Sequence, residues 1–475
     1  MITESEAKMQ SLLKQQQQSF RKNGFPSLEL RIDRLDRLLT MLKKYDHQIC
    51  VTIAEDYGSR SYELSRLAEV LVTTEQTKHA ISNITKWMQP ELRLGQSSAI
   101  EAYAKVHYLP KGVVGIIAPW NFPVHLLLSP LVCNLAAGNR ALIKPSELTP
   151  CTAELISEMV GEFFDPSEVA VVLGDAAISE QFSQLPFDHL VFTGSTKIGR
   201  KVMAAAAQNL TPLTLELGGK SPVVIDHGVD LKIVAMRLMT GKLFNSGQIC
   251  ICPDYVFVPE DLKADLINEL DKATATLYPT IVNNPDYTAI INDNQFARLQ
   301  QLIDDATGRG VKIITLNPAK EDFNEAQSRK MLPRIFINPD KDSAVMKNEI
   351  FGPLLVLKPY HDLQSVINYI QTNDHPLALY YFGNDEVNKA AFRDNILSGG
   401  MAINDVIAQA ICHELPFGGV GASGMGSYHG IDGFREFSHS KAVYTQTSVE
   451  ETVGFMRPPY SDAMRDLLQQ QITEG

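Results

Sequence analysis

The stretch Phe244-Asn245-Ser246-Gly247-Gln248-Ile249-Cys250-Ile251-Cys252 sets Cys250 shortly after a flexible Ser-Gly turn. A thiol lifted on such a turn can meet a substrate. Its thiolate is the nucleophile, so a helix end or a nearby cation must lower its pKa. Spacing alone favours the commoner fate of a free cysteine, burial as a small hydrophobe. Cys250 and Cys252 also form half of a metal-binding pattern. No second cysteine pair and no His-x-x-x-His completes it, so no metal is expected. Leu215-Glu216-Leu217-Gly218-Gly219-Lys220 holds a glutamate between two leucines. Partial desolvation raises such a carboxylate toward the range of a general base, whereas a solvent-facing strand position leaves it ordinary. In Pro119-Trp120-Asn121-Phe122-Pro123, Asn121 follows an apolar run. An asparagine at a strand's carboxyl end can donate its amide to a developing oxyanion, while Trp120 and Phe122 read otherwise as core.

Phe192-Thr193-Gly194-Ser195-Thr196-Lys197-Ile198-Gly199 runs from a strand pattern into a helical one. Ser195 or Thr196 is placed to cap that helix, whose free N–H groups suit a phosphate. Gly194 and Gly199 let backbone come close to a ligand or sheet. An ordinary capped turn explains the same residues equally well. Gly419, Gly421 and Gly424 match G-x-G-x-x-G, but a poor strand precedes them, so they read as a Gly-rich loop. Gly219-Lys220-Ser221 resembles the end of a P-loop, but Thr214 stands where its first glycine belongs.

The elements that must position these residues follow from the hydrophobic pattern. Short apolar runs at 113–118, 141–143, 169–173, 190–192 and 223–225 alternate with helical stretches. That alternation argues for an α/β fold with a parallel sheet covered on both faces. A second alternating block spans 212–405. The division is expected near Pro212, between a helix at 197–209 and a strand at 213–217. The first hundred residues read as helices. Leu28, Ile32, Leu35, Leu39 and Leu42 make one apolar face, with Ser27 placed to cap it. This block is expected to cover one face of the later sheet.

The chain has 475 residues, which suggests two or three domains. Lys and Arg number 43 against 55 Asp and Glu, a net charge of −12. Bulk charge of that sign is a poor fit to nucleic acid, and none is expected as a partner. No run approaches the roughly 18 apolar residues of a membrane span, and both termini are polar, so no signal peptide and no membrane contact are expected. Six sparse cysteines suit a reducing compartment, and the expected location is the cytoplasm.

Trp120-Asn121-Phe122-Pro123, Lys144-Pro145-Ser146-Glu147, Phe192-Thr193-Gly194-Ser195, Leu215-Glu216-Leu217-Gly218-Gly219-Lys220-Ser221-Pro222, Gly247-Gln248-Ile249-Cys250 and Glu349-Ile350-Phe351-Gly352-Pro353 occur together and in one order. With them the sequence resembles the aldehyde dehydrogenase superfamily over nearly its whole length. The resemblance implies two doubly wound α/β domains, a Rossmann-like cofactor domain and a catalytic domain, plus a small bridging β element. The cofactor domain is expected at 1–99, 110–211 and 405–436, the catalytic domain at 212–404, and the bridging strands at 100–109 and 437–450.

The resemblance also implies roles. Cys250 is the nucleophile toward the aldehyde carbon, and Asn121 with the Cys250 backbone N–H forms the oxyanion hole. Glu216 activates the water that hydrolyses the resulting thioester. Trp120, Lys144, Glu147, Gly194, Ser195, Gly199, Glu349 and Phe351 bind the cofactor. Lys144 and Glu147 serve the adenosine ribose, Gly194 and Ser195 the pyrophosphate turn, and Glu349 with Phe351 the nicotinamide ribose. The cofactor is NAD, and NADP is a second one many relatives accept. A carboxylate at Glu147 repels a 2′-phosphate and favours NAD. The glycine-rich stretch 415–430 and Phe437-Ser438-His439 resemble the class 3 branch, dimers acting on aromatic and medium- to long-chain aliphatic aldehydes. Within that branch the likeness is to bacterial coniferyl aldehyde dehydrogenases, without the apolar tail of membrane-bound members. A small-molecule aldehyde substrate and a homodimer are therefore expected. Tyr428, His429 and segment 406–413 are candidates for the substrate tunnel. A coenzyme A-acylating enzyme, a thiol hydrolase and a non-catalytic descendant are the rivals; Glu216 argues against the first.

Overall fold

Strands form where β-branched residues cluster. The computed structural model describes residues 4–93, 103–446, 448, 454 and 457–473. In it the apolar runs become Val113–Ile117, Arg140–Lys144, Val169–Val171, His189–Thr193 and Ser221–Ile225. The first four join Leu213–Glu216 and Gly424–Met425 in a six-stranded sheet. Its order is Gly424–Met425, Leu213–Glu216, His189–Thr193, Val113–Ile117, Arg140–Lys144, Val169–Val171. All pairings are parallel except that of the short edge strand Gly424–Met425. The chain winds outward from Val113–Ile117, then returns to its other side with His189–Thr193. Strand ends open a ligand crevice at such a switch point.

Val113–Ile117 is buried throughout, as a strand covered on both faces must be. Val114 and Ile116 pack with Leu35, Leu38 and Leu42 of the helix Leu28–Tyr57. Val113 and Ile117 pack on the opposite face with Met9 and Leu13 of the helix Glu4–Asn23. The early helices therefore cover both faces, not the one face expected, because two helices leave the block in different layers. Ser27 caps Leu28–Tyr57 as its position suggests, its hydroxyl accepting from the Leu30 N–H at 3.4 Å.

A second sheet has seven strands, in the order Lys312–Thr315, Arg334–Ile337, Leu354–Tyr360, Pro253–Pro259, Ser221–Ile225, Ala378–Phe382, Gly400–Ile403. Only the edge strand Lys312–Thr315 is antiparallel. Leu213–Glu216 pairs with His189–Thr193 in the first sheet. The change of sheet thus falls between Glu216 and Ser221, beyond the division expected at Pro212. The helix that ends before Pro212 returns its chain to the same sheet once more.

Glu91–Arg93, Tyr103–Pro110 and Ser438–Thr445 form a separate antiparallel sheet. Of the segments expected to bridge, 100–102, 447, 449 and 450 lie outside the described residues, as do 1–3 and 94–99 of the expected cofactor domain. No described helix is long and apolar enough to cross a membrane.

Candidate active site

The helix Leu231–Leu243 ends against a tight loop in which Asn245, Ser246 and Gly247 have φ of 51°, 50° and 74°. Two non-glycine residues in the left-handed region persist only where surroundings over-determine them. Here the Asn245 amide donates to the carbonyls of Asn121 and Gln248, at 3.1 and 3.3 Å. The Gln248 amide donates to the carbonyls of Asn245 and Ala289, and its oxygen accepts from the Ile291 N–H. The Ser246 hydroxyl donates to the Thr288 carbonyl. A side chain at Gly247 would place Cβ 2.2 Å from the Gly352 carbonyl oxygen. The turn expected to be flexible is buried and pinned. It delivers Cys250 half-buried, while Cys252 turns into the core with its thiol toward the Lys242 and Pro253 carbonyls.

Asn121 is clamped from three sides. Its carbonyl accepts from the Tyr57 hydroxyl at 3.1 Å, Arg60 Nη1 at 2.8 Å and the Asn245 amide. Its own amide donates to the Gln248 carbonyl at 3.1 Å, which ties it to the cysteine loop and leaves one N–H free. Arg60 in turn forms a wholly buried ion pair with Glu69 at 2.9 Å. The other Glu69 oxygen accepts from the N–H groups of Val124 and His125.

Glu216 ends the strand Leu213–Glu216 and is buried, not solvent-facing. Neither carboxylate oxygen has a protein partner. Burial, and then the charge of Glu436, holds its carboxyl well above the usual range. Burial pushes the Cys250 thiol up to about 12, helped by Glu349 and Glu216. Burial first, and the two acidic groups beside it, work against the lowered thiol pKa of an activated nucleophile.

Cys250 lies where two cavities meet. The first, about 290 Å³, opens at the strand ends of the six-stranded sheet. It brings together Trp120, Asn121, Gly194, Ser195, Glu216, Cys250, Glu349 and Phe351. Ser195 caps the helix Thr196–Ala207, accepting from the Ile198 N–H. The Gly194 N–H donates to the Glu216 carbonyl at 2.9 Å and so joins the two strand ends. Burial and then Asp254 raise Glu349 to about 8. A Cβ on Gly218 would strike the Glu349 carboxylate at 2.0 Å. Phe351, at φ 48°, sets its ring edge-on to Trp120 with centroids 5.4 Å apart.

Arg298, which the sequence reading missed, donates to the carbonyls of Glu349, Ile350 and Phe351 and lines the same cleft. No motif marks it on the helix Asp293–Gly308. Lys144, Glu147 and Gly199 do not line the cleft. Lys144 is buried at the end of Arg140–Lys144, donating to Glu147 at 3.4 Å. Gly199 lets its helix pack on Leu217, whose side chain would be 2.6 Å from a Cβ there.

The second cavity, about 430 Å³, is walled by Phe122, Phe244, Phe417, Ile249 and neighbours. Phe122 and Phe244 stack with centroids 6.3 Å apart. Tyr428, His429 and Val406, Ile407, Ala408, Ala410 and Ile411 of segment 406–413 line it as well. Among the described residues no cluster of His, Cys, Asp and Glu could hold a metal ion.

A doubly wound sheet with a cleft at its switch point, facing a second sheet preceded by a cysteine loop, defines a two-lobed α/β protein with a ligand crevice between its sheets. Comparison with known proteins narrows this. The sequence profile of the aldehyde dehydrogenase family matches residues 3–443. The chain is 44% identical over 471 residues to a Caulobacter vibrioides protein named a probable coniferyl aldehyde dehydrogenase, covering 98% of this chain and 97% of that one. It is 44% identical over 458 residues to the coniferyl aldehyde dehydrogenase of a Pseudomonas species, covering 96% and 95%. A solved structure of Staphylococcus aureus AldH in a substrate-bound state matches with a TM-score of 0.90 at 33% identity, over 98% and 99% of the two chains. The chain belongs to the aldehyde dehydrogenase family. It is an enzyme that oxidises an aldehyde to the carboxylic acid with NAD(P), through a cysteine thiohemiacetal and a thioester that water hydrolyses.

Proposed function

We propose that Cys250, Asn121 and Glu216 carry this reaction and that its substrates are aromatic aldehydes of the coniferaldehyde type. The observation that carries the reading is the place of Cys250, between a polar cleft holding a buried, unpartnered Glu216 and an aromatic cavity. Cys250 Sγ gives its proton to the Glu216 carboxylate, which passes it to solvent, and bonds to the aldehyde carbon as the carbonyl electron pair moves to oxygen. The free Asn121 N–H and the Cys250 N–H stabilise that oxyanion. As the carbonyl re-forms, the carbon's hydrogen leaves as a hydride and a thioester remains. Glu216 then takes a proton from water, whose oxygen attacks the thioester. The C–S bond breaks and the acid departs.

The cleft fits a dinucleotide. The capped helix start at Ser195 and a Glu349 oxygen without a partner are what such a ligand satisfies. Gly194 and Ser195 would hold its pyrophosphate, Lys144 and Glu147 its adenosine ribose, and Glu349, Phe351 and Trp120 its nicotinamide end. Gly199 supports the helix rather than the ligand. When bound, the cofactor supplies the hydride acceptor and a positive ring charge. The carboxylate of Glu147 favours NAD over NADP.

Ser438–Thr445 is an edge strand of the small sheet with most of its residues exposed. An unpaired edge of this kind seeks a partner strand, which supports a homodimer. Free cysteines are consistent with a cytoplasmic enzyme.

The test is kcat/KM for coniferaldehyde, benzaldehyde, hexanal and decanal with NAD and with NADP. Coniferaldehyde with NAD is expected to lead. A preference for the aliphatic chains overturns the aromatic reading. Turnover only with added coenzyme A overturns hydrolysis by Glu216.

A further inference from the structure

The aromatic cavity beside Cys250 has a polar corner that the reaction leaves unused. His125 and His429 both line it. The Thr73 hydroxyl lies between the Glu69 carbonyl and the His125 ring. Thr73 Oγ1 donates its proton to the Glu69 carbonyl at 2.6 Å. Toward His125 Nδ1, 2.9 Å away, the hydroxyl oxygen can therefore only accept. With the Thr73 proton on the closer carbonyl, the ring proton belongs on Nδ1 and Nε2 keeps its lone pair. No hydrogen bond from the described residues reaches that Nε2. Burial, and then His413, lowers His125 to about 4. Burial, and then His125 and His413, lowers His429 to about 3. Both rings are neutral at physiological pH. His429 is buried with Nδ1 unpartnered, and Phe417 stacks on its ring with centroids 5.4 Å apart. A ring nitrogen buried without a partner, as His429 Nδ1 is, is costly until a polar group meets it, and the half-buried His125 faces the same corner.

We infer that His125 Nε2, with His429 beside it, accepts the proton of a hydroxyl group on the substrate's aromatic ring, so that the enzyme selects hydroxylated aromatic aldehydes. The inference rests on the reading of the cavity as an aromatic-aldehyde site. A methyl ether has no proton to give and brings a methyl group against the lone pair. An unsubstituted ring leaves the acceptor unpaired. A site built around a hydroxyl rejects analogues lacking it more sharply than an apolar pocket rejects a lost methylene.

The experiment compares kcat/KM for coniferaldehyde, its 4-O-methyl ether and cinnamaldehyde in the wild type, His125→Phe and His125→Gln. In the wild type coniferaldehyde is expected to exceed its ether by about tenfold or more. His125→Phe brings that ratio close to one. His125→Gln, whose amide oxygen can accept, recovers part of it. Ratios within each protein are independent of any general loss of rate. A wild-type ratio near one, with cinnamaldehyde oxidised well, overturns the hydroxyl reading and leaves the aromatic one standing. Oxidation of none of the three overturns the aromatic reading instead. An unchanged ratio in His125→Phe removes His125 from the role. Should that variant not fold, a His125→Gln ratio below the wild type's but above one supports the role, and a ratio equal to the wild type's speaks against a histidine-specific contact.

Discussion

On one side of Cys250 the cleft gathers Glu216 from a strand end, Arg298 from the helix Asp293–Gly308 and Glu349 from the loop before Leu354–Tyr360. On the other side the cavity is walled by Phe122, Phe244, Phe417 and Ile249 with two neutral imidazoles. Parts of the cleft are tied down by backbone, although the Glu216 carboxylate itself has no partner. Arg298 binds three successive carbonyls, and Gly194 ties to the Glu216 carbonyl. The cavity is instead made by side chains from segments far apart in the chain, and its shape depends on their bulk. The difference separates the two tasks of the enzyme. On the proposed reading the reaction belongs to the cleft side and selection among substrates to the cavity side.

The comparison breaks first at the junction. Cys250→Ala should lower kcat with every aldehyde by about a thousandfold or more, because the bond to the substrate is lost. Binding of NAD, followed by calorimetry, should persist. Retained turnover contradicts the assignment. A smaller loss is expected from the clamp behind Asn121. Arg60→Met leaves Glu69 as an uncompensated buried charge, and breaking such a pair costs about 3–5 kcal/mol. Urea unfolding should show that drop, and an unchanged midpoint would mean that the pair is not coupled to stability.

The smallest effect sharpens the polar side. Glu349 is raised to about 8 from an ordinary 4.5. The folded state then holds this proton more tightly than the unfolded one. Its stabilising contribution is present below the unfolded pKa and is lost as pH rises through about 8. Glu349→Gln removes that loss. Without cofactor, the Tm of the variant minus that of the wild type should therefore grow between about pH 5 and pH 9. A difference that shrinks contradicts the sign.

The residues that line the cleft lie in short runs visible in the sequence, but each run alone left a bland reading open and the family resemblance chose between them. Trp120 and Asn121, Gly194 and Ser195, Glu216 and Cys250 each carry local marks of a turn, a cap or a desolvated strand end. Arg298 carried none, since its role is to bind carbonyls from Glu349 to Phe351 that only folding brings near. For Gly199 the local pattern left ligand and sheet open, and the close neighbour is Leu217, just past the end of a strand. It placed the sheet change at Pro212 because a helix–strand junction looks alike whether the chain stays in a sheet or leaves it. The Ser246-Gly247 turn looked flexible from composition, yet partners from Thr288, Asn121 and Gly352 fix it. His125 stood unremarked, because its tautomer depends on Thr73 and Glu69 across the fold.

The central claim is that Cys250 carries the acyl group and Glu216 releases it. Glu216→Gln mixed with NAD and coniferaldehyde should give a burst of NADH of up to one equivalent per active subunit and then stall. Mass spectrometry of the stalled protein should find the acyl group on the peptide containing Cys250. Full steady-state turnover with no adduct, or an adduct on another residue, would contradict the account.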